Sequence, residues 1–400
     1  MMDRYFCKDI LASIFNYLKD MDKIHFLSTC KILHHAKNLF VYDEEINIEN
    51  ILKLSYRKSF INLFVDTFEL FDSYIDNNNY YCDTIKTIKL DKEFLNHAKK
   101  ITFGFSFNQD ITDYIPSLVT HLTFSGHFDK DIKGRIPQSV THLTFGHSFN
   151  QDIKGCIPPS VTHLTFGHNF NQPIKNCIPN SVTHLTFGPY FDQNIKDCIP
   201  PKVNHLTFGY HFNQEIKDCI PPKVTHLTFG HYFNQEIKDC IPPQVTHIIF
   251  GQNFNQEIKD CIPPSVTHLT ISSDFNHRSK DCIPLSVTHL TFGYHFNQCI
   301  KGCVPESVTH LTFGHQFNKD IKDCIPPSVT HLTFGYHFNQ NIKGCIPESV
   351  THLIFDSDFS RDIMGVIPKS LKYLKINRSQ KRMISRHNTM SKNIKIEYNN

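Results

Sequence analysis

The sequence predicts an α+β chain in which a small helical module precedes a solenoid with a parallel β-sheet face. Three observations lead there. The chain has 400 residues, more than one globular core usually holds. One apolar pattern recurs every 21 residues through most of that length, the signature of a repeat array. Residues 9–37 instead carry apolar side chains at helical spacing.

The repeat sets the architecture. A typical unit, Val140 to Ser160, reads VTHLTFGHSFNQDIKGCIPPS. A phenylalanine recurs from Phe103 through Phe124 and Phe145 to Phe355, yielding only at Ile271; a second runs from Phe107 through Phe149 to Phe359, and a proline from Pro116 through Pro158 to Pro368. Within a unit, Leu143 and Phe145 alternate with His142 and Thr144, the period-two pattern of a short strand. Gly146 then offers a residue free to take positive φ, and Pro158 fixes φ and withholds a donor, so both mark corners. Phe149, Ile153, Cys156 and Ile157 are too sparse for a full helix, and an extended or short helical return is expected. One unit cannot bury its apolar face alone. Stacking sets Val on Val, Leu on Leu and Phe on Phe, so some fourteen rungs about 4.8 Å apart would run to roughly 65 Å. The ends degrade as caps should, with Lys100 in place of the strand histidine and Lys375 in place of the strand threonine. The expected boundaries are a helical module at 1–45, a helical connector and cap at 46–98, the solenoid at 99–376 and a basic frayed tail at 377–400.

In the helical module, Ile10, Leu11, Ile14, Phe15 and Leu18 follow Asp9 at helical spacing. Asp22 can cap a second helix bearing Ile24, Leu27, Cys30 and Leu33. Composition limits the function classes. Forty-one basic against thirty-eight acidic residues point to neither nucleic acid nor a membrane surface as partner. The first residues, Met1 to Asp9, lack an apolar signal region, and no apolar run is long enough to span a bilayer, which predicts a soluble intracellular protein. Ten of the fourteen cysteines, from Cys156 to Cys345, sit at the repeat interval beside the Ile157-type position, a pattern of buried free thiols rather than disulfides.

These units resemble the FNIP repeat of amoebal proteins and of giant viruses that infect amoebae, named for pairs such as Phe149-Asn150 and Ile157-Pro158. That resemblance implies a leucine-rich-repeat-like solenoid. The segment DILASIFNYLKDMDKIHFLSTCKILHHA is similar to an F-box, the helical domain that docks a substrate receptor onto the Skp-type adaptor of a cullin-RING ubiquitin ligase. It implies that Ile10, Leu11, Ile14, Phe15, Leu18, Ile24 and Leu27 face that adaptor. The expected function is then a protein-binding scaffold in the cytoplasm, or the host-cell cytoplasm if viral, acting as the substrate receptor of such a ligase. A structural or sequestering solenoid without a ligase link is the alternative.

Histidine recurs at twelve positions, from His121 to His352, on the strand side opposite the core. A linear ladder offers neighbouring pairs, whereas zinc asks for three or four convergent ligands, so a recognition face is preferred to a metal site. That face is expected to include His142, Thr144, His163, Thr165, His184, Thr186, His205, Thr207, His226 and Thr228, and to meet a protein target. Lysines such as Lys154 and Lys175 form a solvated loop edge. No phosphate-binding glycine loop and no distinguished nucleophile–base set occurs among the copies, so neither catalysis nor a cofactor is expected.

Overall fold

The protein is described by a computed structural model covering residues 19–27, 42, 46–47, 62–65 and 98–399, excepting 113, 276–281, 357, 364–365 and 379–393. It divides into two compact units, Met1–Phe170 and Asn171–Asn400. The first contains helix α1 (Asp20–Leu27) and strands β1 (Ile46–Asn47), β2 (Asn62–Val65), β3 (Lys100–Phe103), β4 (His121–Phe124), β5 (His142–Thr144) and β6 (His163–Thr165). The second contains β7 (His184–Thr186), β8 (His205–Thr207), β9 (His226–Thr228), β10 (His247–Ile249), β11 (His268–Ile271) and β12 (His289–Phe292). It continues with β13 (His310–Thr312), β14 (His331–Thr333), β15 (His352–Ile354), β16 (Tyr373–Asn377) and β17 (Lys395–Asn399).

Within each unit consecutive strands pair in parallel, and like lies on like: His142 opposite His163, Leu143 opposite Leu164, Thr207 opposite Thr228. Strands of three residues suffice because the rest of each coil is a series of turns. In the Val140 unit, Phe149 N–H donates to Gly146 O (3.4 Å), Cys156 N–H to Ile153 O (3.0 Å) and Val161 N–H to Pro158 O (3.1 Å). The return between strands is therefore three β-turns, and the short helical alternative does not occur there. Proline suits its turn because the missing N–H is not needed.

The two glycine-bearing corners work differently. The residue between lysine and cysteine takes φ near +60°, as at Gly155 (69°), Asn176 (60°) and Asp218 (59°). Glycine tolerates that conformation freely, and Asn and Asp do so better than other side chains, which explains the Lys-Gly, Lys-Asn and Lys-Asp alternation. Gly146 is not at positive φ, contrary to expectation. A Cβ there would lie 2.5 Å from the carbonyl carbon of Ser125, and one on Gly167 would lie 1.7 Å from Gly146 O, so close approach of successive rungs excludes a side chain.

Val140, Leu143, Phe145, Phe149 and Ile153 are buried, as are their described counterparts in the repeats between Ile101 and Ile376. Phe145 and Phe149 stack at 4.0 Å between centroids, and Phe145 meets Phe166 at 5.8 Å in the next rung. The core is a double column of rings. The asparagine of the Phe-Asn pair ties rungs together outside it: Asn234 N–H donates to Asn213 Oδ1 (2.9 Å) and Gln235 Nε2 to Asn213 O (3.0 Å).

Three expectations change. The 46–98 connector contains strands: β1 pairs with β2 and β2 with β3, so the array starts before Lys100. The 377–400 tail ends in β17, which pairs with β16 along five residues. Helix α1 begins at Asp20, with Lys23 N–H bonded to Lys19 O, so Asp22 lies in the first turn and is not the cap. It is the only α-helix among the described residues. They form a parallel β-solenoid, and the expected helix over 10–18 lies outside them.

Candidate functional site

The candidate site is the outer face of the strands. Leucine, or isoleucine at Ile101 and Ile248, points into the core from the repeat strands, so the flanking residues point away by the alternation of a pleated strand. His142, Thr144, His163 and Thr165 in the first unit, and His184, Thr186, His205, Thr207, His226 and Thr228 in the second, are all half-exposed on this side. Every predicted face residue is thus placed on it. Of the predicted adaptor residues, Ile24 and Leu27 fall in α1, and Ile10, Leu11, Ile14, Phe15 and Leu18 lie outside the described residues.

Neighbouring imidazoles stack. Ring centroids are 4.1 Å apart for His121–His142 and His142–His163, and 4.1 Å for His226–His247, His247–His268 and His268–His289. The residue before each histidine sets the ring's tautomer. Thr141 Oγ1 donates its one proton to Thr120 O (3.2 Å), so its 2.9 Å contact with His142 Nδ1 has the ring donating. In the rung where asparagine replaces that threonine, His205 Nδ1 contacts Asn204 Oδ1, which can only accept, at 2.8 Å. Nδ1 therefore holds the proton and Nε2 is the acceptor. The face is a row of imidazole acceptors beside a row of threonine hydroxyls.

The same geometry bears on metals and on charge. Stacked rings carry parallel lone pairs, which do not converge on one ion. Among the described residues no group of three or more His, Cys, Asp or Glu could hold a metal. Burial, followed by the adjacent imidazoles, holds His247 and His310 down at about 4. Burial and neighbouring histidines lower His226, His289 and His331 in the same sense, and burial with Lys100 lowers His121. His247 and His310 are thus neutral at pH 7.

One feature of this face was not anticipated. In β10 isoleucine takes the threonine position, and Ile249 stands 44% exposed. It lies in a groove of about 260 Å³ lined by His226, Thr228, His247, His268 and Thr270. The signal was present in the sequence as a break in the threonine column, visible only when repeats are compared position by position rather than averaged.

The cysteine series lies in the turn closed by bonds such as Cys156 N–H to Ile153 O. Cys156, Cys177, Cys198, Cys219, Cys240, Cys282 and Cys324 are buried free thiols, while Cys261, Cys303 and Cys345 are half-exposed, so burial does not extend along the whole series. Sγ donates to the lysine carbonyl two residues earlier, as from Cys219 to Lys217 O at 3.1 Å. Burial pushes the Cys240 and Cys324 thiols up to about 11.

Comparison with known proteins accords with this geometry. The sequence model of the FNIP repeat matches in overlapping windows running from 107–148 to 338–379. An FNIP repeat-containing protein of Acanthamoeba polyphaga mimivirus is 29% identical over 117 residues, which are 29% of this chain and 26% of that protein. The match thus spans about a quarter of the curated relative's length. Among solved structures, CroV588, described as a circular leucine-rich-repeat protein, is 29% identical with a TM-score of 0.53, covering 86% of this chain and 73% of that one. YopM from Yersinia enterocolitica aligns with 14% identity and a TM-score of 0.37 over 79% of this chain and 82% of that one.

Proposed function

Because the chain belongs to the FNIP-repeat family and is built as a leucine-rich-repeat-like solenoid, we propose that it is a substrate receptor of a cullin-RING ubiquitin ligase. Its F-box-like segment recruits a Skp-type adaptor, and its strand face holds a protein target in the cytoplasm, the host-cell cytoplasm if the protein is viral. The observation that carries the binding role is the groove on the strand face. Ile249, a large exposed apolar side chain, sits centrally among neutral hydrogen-bonding groups, the arrangement of a protein-interaction anchor with its polar rim. The ligase link is supported by the F-box resemblance of residues 9–37.

A second reading has its own support. Strands β1 and β2 extend the array before Lys100, so the N-terminal segment could serve the solenoid as a cap, leaving a sequestering scaffold without a ligase role. Co-purification separates them. Full-length protein is expected to bring down a Skp-type adaptor, whereas a chain lacking residues 1–45 does not. Ile14→Asp with Leu18→Asp is expected to abolish the interaction in folded protein. Absence of adaptor from the full-length preparation would leave the scaffold reading alone.

A further inference from the structure

Past each strand, two columns of side chains follow the glycine, and in the second unit they are rich in tyrosine and histidine. Tyr190 stacks on His211 at 4.7 Å. Tyr210 meets His231 edge-on at 4.4 Å and Tyr232 at 5.1 Å. Further along, Tyr294 stacks on His315 at 4.5 Å. Between these sets the aromatic column is interrupted, with Gln252 and Ser273 in the places of rings. The gap is a cavity of about 310 Å³ lined by Tyr210, His231, Gln252, Ser272, Ser273 and Tyr294. Tyr210 is 44% exposed and Tyr294 47%, so each presents ring surface to solvent while ring neighbours hold it in place.

The electrostatics of this cavity select its guest. No lysine or arginine lines it. Asp274, an exposed carboxylate, adjoins Ser273, and its N–H is bonded to Gln252 O at 3.0 Å. Its charge reaches His231, which desolvation nonetheless holds below the ordinary imidazole value. At pH 7 the cavity therefore presents aromatic rings, with one carboxylate beside it, outside its lining. An anion would meet that carboxylate and the negative faces of the rings, whereas a cation gains from both. The volume is at the small end of ligand sites and fits one side chain rather than a folded surface. A planar guanidinium can stack on a tyrosine and bond a carboxylate through two N–H groups, which a compact ammonium cannot do.

We infer that the cavity between Tyr210 and Tyr294 receives an arginine side chain of a partner protein. This surface is separate from the histidine face and does not depend on the ligase reading.

The test measures binding of a fluorescein-labelled Gly-Arg-Gly-Arg-Gly peptide to the full-length protein by anisotropy, with a citrulline-for-arginine peptide as the neutral isostere. The arginine peptide is expected to bind, and the citrulline peptide to bind at least about fivefold more weakly, a cation–π and carboxylate contribution of ordinary size. Tyr210→Ala and Asp274→Asn should each cost about fivefold, while Tyr210→Phe, which keeps the ring, should stay within about twofold. Asp218→Asn removes an exposed carboxylate elsewhere at a position where asparagine is tolerated, and should change nothing. Circular dichroism confirms that each variant is folded. Equal affinity for both peptides, no binding of either, or a Tyr210→Ala, Asp274→Asn double variant that binds like the parent would overturn the assignment.

Discussion

Acidification tests whether the stacked histidines act as a set. In the second unit, His226, His247, His289, His310 and His331 have folded pKa values below the ordinary 6.5, with burial as the main cause and neighbouring imidazoles next. No carboxylate contributes to these shifts. The sign follows directly: above pH 6.5 both folded and unfolded rings are neutral and nothing is lost. Between 6.5 and about 4 the unfolded chain binds protons that the folded ladder resists, so stability falls as pH falls. A ring that stayed wholly neutral when folded would cost about 1.4 kcal/mol at pH 5.5, or about 7 kcal/mol for five. These rings are half-exposed, and screening by the water and salt that reach them reduces the figure to roughly a quarter, about 0.3 kcal/mol each and about 1.5–2 kcal/mol together. For a unit of this size that is a fall of about 3–8 °C in thermal midpoint between pH 7.5 and 5.5. Carboxylates titrate nearer pH 4, so the interval isolates histidine.

Differential scanning fluorimetry at the two pH values, with and without 0.5 M salt as a screening arm at roughly a 4 Å Debye length, reads the effect. The double variant His247→Gln, His310→Gln should recover part of the loss while leaving the midpoint at pH 7.5 nearly unchanged. A midpoint equal at both pH values, or an identical fall in the double variant, would show that these folded imidazoles are not held below their ordinary value and that the ladder does not set the loss.

Three further outcomes are expected. Asp218→Ala, at φ 59°, should destabilise by about 1 kcal/mol, whereas Asp218→Gly should not, as read by urea denaturation. Thiol labelling of native protein followed by peptide mass spectrometry should modify exposed Cys299 at least about tenfold faster than Cys240 or Cys324, whose protonated thiols are buried; denaturation should remove the difference. Phe212→Ala, which opens a fully buried gap in the inner ring column, should cost about 3–5 kcal/mol by the same denaturation assay.

Much of the fold was legible in the residues because repetition turns a weak local signal into a strong one. Leu143 and Phe145 alone would suit many strands, but the same pair at every rung leaves in-register stacking as the way to bury it. The side-chain alternation correctly placed His142 and Thr144 outward for the same reason. What was not legible depended on distance between rungs. Local rules read Gly146 as backbone freedom, yet it is required by the approach of Ser125, a neighbour one rung away that no local rule reports. β1 and β2 lack the repeat's phenylalanines, so their pairing with the array left no periodic trace. The histidine tautomer needed Thr141 Oγ1 and the carbonyl of Thr120 together, a relation between successive coils.

Uniformity poses a problem for recognition that departures from the repeat can solve. A partner lying across identical His–Thr pairs would find the same contacts after a shift of one rung, just as a uniform strand permits register slips. A single unlike side chain breaks the degeneracy, as one polar residue fixes register in a coiled coil. Isoleucine interrupts the threonine column at Ile249 and again at Ile354; of the two, Ile249 is the exposed one, and its large apolar surface favours one alignment of any partner with a complementary pocket. The target's position can then be moved by moving the isoleucine. In a chain carrying Ile249→Thr with Thr312→Ile, the isoleucine sits three rungs further on, in β13 instead of β10, with the neighbouring His–Thr pairs unchanged in kind. Hydrogen exchange in the complex with its captured target should then show protection shifted from the β9–β11 peptides to the β12–β14 peptides, at affinity within about tenfold of the parent. Protection that stays over β9–β11 in the exchanged chain would mean that something other than Ile249 sets the register.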